Sequence, residues 1–267
     1  MRHSAETIAD RVVDGLFIQE STGENMHVPV KGIRGWISPF ADSYANRVIT
    51  TNTHCRSETI QAVMGFFSQR SAGVTWVVRQ NEISSGLPQM LMEMGFKPGR
   101  YHKVAGMFLQ TDTVRHTPDS EVYIRNVTPD DEEALLETII AATKMSSIEH
   151  QRYLFRHGAA PGNSVRHLSY LAYVAGVSHP VGYGKSAYFS DHQTVMLNGA
   201  GVIEAFRCRG VYAQLLQHRM QAAIECGRKD FIIQSARDSS FPTCVRFGFQ
   251  EVCEMEFYQW SPESASI

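Results

Sequence analysis

The spacing of apolar residues makes the chain a near-continuous alternation of helices and strands. Residues 4–19 place Ile8, Val12, Val13 and Leu16 on one helical face, with Ser4 positioned as the cap. Residues 20–25 are polar and form a loop. Residues 28–51 mix short apolar groups with Gly, Pro and Ser, which predicts two or three strands joined by turns. Ile60, Val63, Met64 and Phe67 predict a helix over 58–69. Val74 to Val78 is β-branched and aromatic, hence a buried strand. A helix over 85–94 turns Leu87 and Leu91 inward, and a strand follows over 103–109.

The second half opens after a polar stretch, 111–120, which contains Pro118 and reads as a linker. A strand over 122–127 precedes Thr128-Pro129-Asp130-Asp131-Glu132, a helix start with a capping threonine, an early proline and first-turn acids. That helix runs to about residue 143; a second covers 149–156, and a loop 158–163. Strands follow over 165–174 and 180–189. In the latter, Val181, Tyr183 and Lys185 share one face, and Gly182, Gly184 and Ser186 the other. Asp191-His192 turns the chain into a strand over 194–203 that ends in small residues. Leu215, Leu216, Met220, Ala223 and Ile224 then predict a helix over 211–226. A buried strand over 230–235, a short helix, Phe247-Gly248-Phe249 and a last strand through Met255, Phe257 and Trp260 complete the chain.

This order occurs twice. Trp76-Val77-Val78, a helix, Met94-Gly95-Phe96 and a strand with Met107 parallel Phe231-Ile232-Ile233, a helix, Phe247-Gly248-Phe249 and a strand with Met255. A Gly-Phe pair after a helix is also a common end cap with a hydrophobic contact. The repeat predicts two copies of one unit, in domains 1–115 and 121–267.

Composition narrows the class. At 267 residues and 43% hydrophobic content, a sizeable core is affordable. The net charge of −2 and the lack of long basic runs exclude a nucleic-acid field. Five cysteines without a C-x-x-C pair suggest neither a disulfide framework nor a zinc ribbon, and the eleven histidines show no ligand spacing, so no metal is expected. Acids at Glu6, Asp10 and Asp14 argue against a signal peptide, and the apolar run 168–177 is too short to span a bilayer. A reducing cytoplasm, with no membrane partner, is the simplest expectation. A homodimer is neither required nor excluded.

The chemistry concentrates between the strand ending at Val202 and Ile203 and the helix that follows. Arg207-Cys208-Arg209-Gly210-Val211-Tyr212-Ala213 joins them. Helix-start amides lack intrahelical partners and carry partial positive charge, Gly210 permits close backbone approach, and the two arginines add full charges. The turn therefore suits a phosphate group. It fits neither Gly-x-Gly-x-x-Gly nor the P-loop pattern. Cys208 lies between two arginines at a helix start, a candidate oxidation-sensitive site, although such a residue more often serves only the turn.

Arg207-x-x-Gly210-x-Tyr212 resembles the Arg/Gln-x-x-Gly-x-Gly/Ala signature of the GCN5-related N-acetyltransferases. The strand, short helix and Gly248-Phe249 behind it strengthen the likeness, which covers residues 120–260. Two positions depart from the pattern. Tyr212 stands where the signature has Gly or Ala. Cys244 stands where many members carry a tyrosine that protonates the departing coenzyme A thiolate.

The resemblance implies a mixed-sheet α/β fold of the acyl-coenzyme A N-acyltransferase type, in two tandem domains. The N-terminal copy has no Arg-x-x-Gly turn, so it is expected not to bind coenzyme A the same way. The implied cofactor is acetyl-coenzyme A, used as acyl-donor substrate. It would be held by Val202, Ile203, Arg207, Cys208, Arg209, Gly210, Val211, Tyr212 and Ala213. The implied partner is a small-molecule or peptide amine that attacks directly in a ternary complex. Glu204 and Tyr183 are the candidate bases, with His192 behind them, and Cys244 holds the general-acid position. A non-catalytic acyl-coenzyme A-binding module and an interaction protein on the same fold are the alternatives.

Overall fold

The computed structural model of the chain describes residues 7–18, 24–51, 55–115, 121–144, 148–157, 165–197 and 199–262. Two compact units emerge. One comprises Met1–Met107, Ser235–Pro242 and Glu251–Ile267; the other comprises Phe108–Gln234 and Thr243–Gln250.

The first unit opens with α1, Ile8–Asp14, continued by a 3-10 turn over Gly15–Phe17. Thr7, not Ser4, caps it: the Thr7 hydroxyl accepts from the Asp10 amide at 3.1 Å, and the Asp10 carboxylate accepts from the Thr7 amide at 3.2 Å. Ser4 lies outside the described residues. Strands β1 (Met26–His27), β2 (Ile33–Ile37) and β3 (Arg47–Thr50) precede α2 (Ser57–Ser68) and β4 (Val74–Arg79). β1, β2 and β3 pair antiparallel, while β3 and β4 run parallel with Val48 opposite Trp76. β4 is an interior strand with a neighbour on each side, and Val74, Trp76, Val77 and Val78 are all fully buried. Ile60, Val63 and Phe67 of α2 pack on Trp76 and Val78.

A short helix that the sequence did not predict, α3 (Gln80–Ile83), comes next. The helix expected over 85–94 is present as α4 (Leu87–Glu93), starting two residues later than expected. Gly86, at φ +84°, is the N-cap of α4, which has Pro88 in its first turn. β5 follows over Lys97–Gln110, six residues earlier than its apolar core suggests.

The second unit holds β6 (Val122–Asn126), a 3-10 turn over Pro129–Asp131, α5 (Glu132–Thr143) and α6 (Glu149–His157). Thr128 caps as expected, through Asp131. Asp131 in turn binds Arg125 at 2.6 Å. β7 (Val165–Val174), β8 (Gly182–Phe189), β9 (Thr194–Met196), β10 (Gly201–Val202), α7 (Val211–Glu225), β11 (Asp230–Ala236) and α8 (Phe241–Arg246) follow. The sheet order is β11-β9-β8-β7-β6, with β10 also on β8. Among the described residues of this order, β9–β11 is parallel and the other pairs are antiparallel. The predicted loop 158–163 and the end of the predicted linker, 116–120, lie outside the described residues.

One assignment needs correction. The last strand, β12 (Gln250–Trp260), was expected to belong with 121–267. It runs antiparallel to β4, from Met255 opposite Arg79 to Trp260 opposite Val74, and Glu251–Ile267 counts with the first unit. A strand's own pattern reports which face is buried; it does not name the neighbour it pairs with. Among the described residues no helix is long and apolar enough to cross a membrane.

Candidate active site

The single strand expected over 194–203 is two strands with a break, and the break makes the site. β9 pairs parallel with β11, Met196 opposite Ile232, and the Leu197 amide donates to the Ile232 carbonyl at 2.9 Å. Beyond Leu197 the chain leaves β11. It passes Gly199 at φ +67° and forms β10 on β8 alone, Gly201 opposite Tyr183 and Val202 opposite Gly182. The Ile203 amide donates to the Val181 carbonyl at 2.9 Å. Strand alternation then turns the N–H and C=O of Val202 toward the gap between β10 and β11. The Val202 N–H thus lies on a strand edge that β11 does not cover.

The basic turn follows a 3-10 segment, Glu204–Phe206. Cys208 has φ +61° and Gly210 +78°, whereas Arg209 between them stays negative. Alternating signs of φ gather successive N–H groups into an anion-holding concavity. Gly210 is the N-cap of α7, and no side chain caps the helix start. The first intrahelical bond runs from the Gln214 amide to the Gly210 carbonyl at 3.0 Å, so the amides of Val211, Tyr212 and Ala213 precede it. A Cβ added to Gly210 would meet nothing within 4 Å, so space for a ligand lies outside the turn.

The two arginines divide their work. Arg207 folds back: its Nε donates to the Val202 carbonyl at 3.1 Å and Nη2 to the Ala142 carbonyl at 3.4 Å. It braces the turn and the gap-side edge of β10. Arg209 is the outward cation, its guanidinium 5.5 Å from the Phe206 ring.

α7 lies close on the sheet because β8 presents glycines to it. A Cβ at Gly182 would stand 3.2 Å from Val211 Cγ1, and one at Gly184 would stand 3.0 Å from Arg219 Cδ. Arg219 is fully enclosed, with 0% exposure. Nε donates to the Leu215 carbonyl at 3.1 Å, and Nη1 to the carbonyls of Lys185 and Leu197 at 3.0 and 3.1 Å. The Leu197 carbonyl belongs to the last residue before the strands part. Nη2 meets no acceptor of full hydrogen-bond geometry, and the Tyr212 phenol supports the cation more weakly. Burial lowers the Arg219 pKa, opposed by nearby Tyr212, Cys244 and Tyr170. Cys244, on α8, is buried, and its Sγ lies 3.9 Å from the Tyr212 hydroxyl.

The opposite face of β8 carries a second polar group. Lys185 Nζ donates to Gln151 Oε1 on α6 at 2.5 Å. Its stem runs beside Gly199, where an added Cβ would be 3.5 Å from Lys185 Cδ. Burial lowers Lys185 to about 8, and burial with the Lys185 charge lowers His167 to about 4. Tyr183 sits on this face within a cluster of Leu135, Ile139, Ala142, Leu171 and Tyr173. Glu204 is exposed and pairs with Lys144 at 3.2 Å, which lowers its carboxyl pKa and weakens it as a base.

The structure therefore gathers Val202, Ile203 and the 207–213 turn at one gap, with Cys244 facing Tyr212. Glu204 stands in an ion pair at the rim and Tyr183 in an apolar wall. His192 lies on an exposed turn before β9, whereas the strands part after it. Arg219 and Lys185 escaped the sequence reading as site residues. Arg219 lies four residues after Leu215 and four before Ala223, on the buried stripe of the helix, and Lys185 shares the Tyr183 face of a strand otherwise buried. A charged residue on a buried face was the signal for both.

No family model and no curated protein matches the chain. Solved structures do. A GCN5-related N-acetyltransferase from Kribbella flavida superposes with a TM-score of 0.69 at 14% identity, covering 98% of each chain. One from Sphaerobacter thermophilus gives 0.64 at 14% identity, over 86% of this chain and 76% of that one. A tandem GNAT protein from the clavulanic acid biosynthesis pathway gives 0.53 at 14% identity, over 94% of each. Over nearly its whole length, the chain has the fold of the GCN5-related N-acetyltransferases.

Proposed function

We propose that the second unit is an N-acetyltransferase that moves an acetyl group from acetyl-coenzyme A to the amine of a small molecule or peptide. The observation that carries this reading is the parting of β10 from β11 beside a helix start with no side-chain cap. The turn from Arg209 to Ala213 offers amides and one outward cation to the diphosphate. The Val202 N–H offers a donor to the pantetheine arm or to the thioester carbonyl, where negative charge grows as the amine attacks. On the other face, Lys185 at about 8 is partly neutral near physiological pH and can take the proton of an ammonium acceptor.

A second reading has its own support. Cys244 replaces the tyrosine that the family resemblance associates with thiolate protonation, so the unit could bind acyl-coenzyme A without transferring the acyl group. One pair of measurements separates the readings. Ligand at 100 times its dissociation constant stabilises a protein by about 2.7 kcal/mol, so acetyl-coenzyme A should raise the melting temperature under both. Thiol release across amino acids, polyamines, aminoglycosides and peptide N-termini is expected under the first alone. No thermal shift would overturn both.

A further inference from the structure

We infer that Tyr212, not a residue of α8, supplies the proton to the departing coenzyme A thiolate. The inference rests on the transferase reading above. Three observations, all within the second unit, lead to it. First, the Tyr212 hydroxyl reaches across from the first turn of α7 to 3.9 Å from Cys244 Sγ on α8. Cys244 is the position at which the resemblance leads one to expect a phenol. The hydroxyl absent from α8 is thus delivered to the same spot from α7, by a residue standing where the signature calls for Gly or Ala.

Second, the phenol interacts with the Arg219 guanidinium, a cation enclosed in the protein. Arg219 spends Nε and Nη1 on three carbonyls, forms no ion pair among the described residues, and keeps Nη2 without an acceptor of full hydrogen-bond geometry. A nearby guanidinium stabilises the phenolate left once the proton has been given up. Third, Arg219 is tied to the Leu197 carbonyl at 3.1 Å, the point at which β9 leaves β11. The cation and the phenol it acts on are therefore anchored where the strands open to the pantetheine arm. Cys244 then has a simple role: a small buried side chain that leaves room for the incoming ring.

The step balances. The acceptor nitrogen attacks the thioester carbon, the C–N bond forms and the C–S bond breaks. The leaving sulfur takes the Tyr212 proton, and the phenolate, held beside Arg219, regains one from water. The amine gives up one proton to its base or to solvent, so the net products are an amide and a thiol.

The full-length protein supports the test. Acetyl-coenzyme A binding is measured by thermal shift and calorimetry, and turnover by thiol release with the best amine of the panel. Tyr212→Phe should keep the dissociation constant within about threefold and lose kcat by ~100-fold, the low end of general-acid effects. It should also remove the alkaline limb of the kcat profile. Tyr212→Ala with Cys244→Tyr returns a hydroxyl from the other helix and should recover at least about tenfold over Tyr212→Ala alone. Unchanged kcat and pH profile in Tyr212→Phe would overturn the assignment. So would tighter binding and faster turnover in Tyr212→Ala, which would mark the ring as an obstruction. Wild-type binding without turnover would remove the proton transfer but keep the ligand site. Absence of wild-type binding would remove the transferase reading itself, and this inference with it.

Discussion

Arg79 Nη2 donates to the Thr50 carbonyl at 2.9 Å and so ties the end of β4 to the end of β3. These strands correspond by order and parallel pairing to β11 and β9, which are left to separate. Glu82, buried, completes the closure by accepting from the Arg79 amide at 2.9 Å and from the Thr50 hydroxyl. The helix that follows, α2, starts at Arg56 without a glycine and without a side-chain cap. The first unit thus keeps the strand arrangement but fills the opening with its own side chains.

The first unit should accordingly take no acyl carrier. In Gly210→Val with Arg209→Glu, calorimetry should find no acetyl-coenzyme A binding at all. Residual binding with one-site stoichiometry would place a ligand in the first unit instead.

The two arginines of the turn should fail differently. Arg209→Glu should weaken acetyl-coenzyme A at least about tenfold and reduce its salt dependence, with stability unchanged to within ~0.5 kcal/mol, as for a surface substitution. Arg207→Ala strips a donor from the Val202 and Ala142 carbonyls and should lower stability by ~1 kcal/mol. Thermal denaturation alongside calorimetry checks both, and equal effects from the two variants would contradict the division of labour.

Lys185→Met should separate stability from turnover. In the folded chain Lys185 titrates at about 8, below its unfolded value of about 10.5. Its charge therefore costs stability fully below pH 8, and the cost is relieved as pH rises from 8 to 10.5. Removing the charge should stabilise the protein at pH 7, while kcat drops by ~100-fold if the amine takes its leave of a proton here. Unaltered kcat would return the base to solvent.

Acid should weaken the fold through several groups acting in one direction, His167 and Asp131 among them. His167 titrates at about 4, below the usual ~6.5, so the unfolded chain binds a proton the folded chain refuses. Stability falls as pH drops from about 6.5 to 4. The Asp131 carboxyl, lowered chiefly by its bond to Arg125, adds stability above its unfolded pKa that is lost as pH falls through the folded one. Urea midpoints at pH 7, 5.5 and 4.5 should decline in the wild type and decline less steeply over both intervals in His167→Gln. An unchanged slope would show that His167 is not the group responsible.

Much of this architecture was legible because its signals are local. The Thr128 capping sequence, the apolar run of β4 and the Gly210 turn each state their conformation in consecutive residues. What escaped depends on partners. Nothing in residues 194–203 announces that Leu197 still bonds to Ile232 while Val202 does not follow, because a strand break is decided by the neighbouring strand. Arg219 illustrates the same limit. Its position on the buried stripe of α7 is readable, but the three carbonyls that make burial tolerable come from α7, β8 and the end of β9. The bracing role of Arg207 was not readable because its carbonyl partners lie five and sixty-five residues away.

The pairing of β12 with β4 bears on how the polypeptide is made. A ribosome releases the first hundred residues long before Glu251 to Trp260, yet the edge of β4 waits for that late segment. Until translation is nearly complete, the nascent first unit exposes an unfilled row of main-chain donors and acceptors, a recognised invitation to stray pairing. A fragment ended near residue 115 should share this predicament permanently and precipitate, and a separately added peptide matching 250–260 should rescue it.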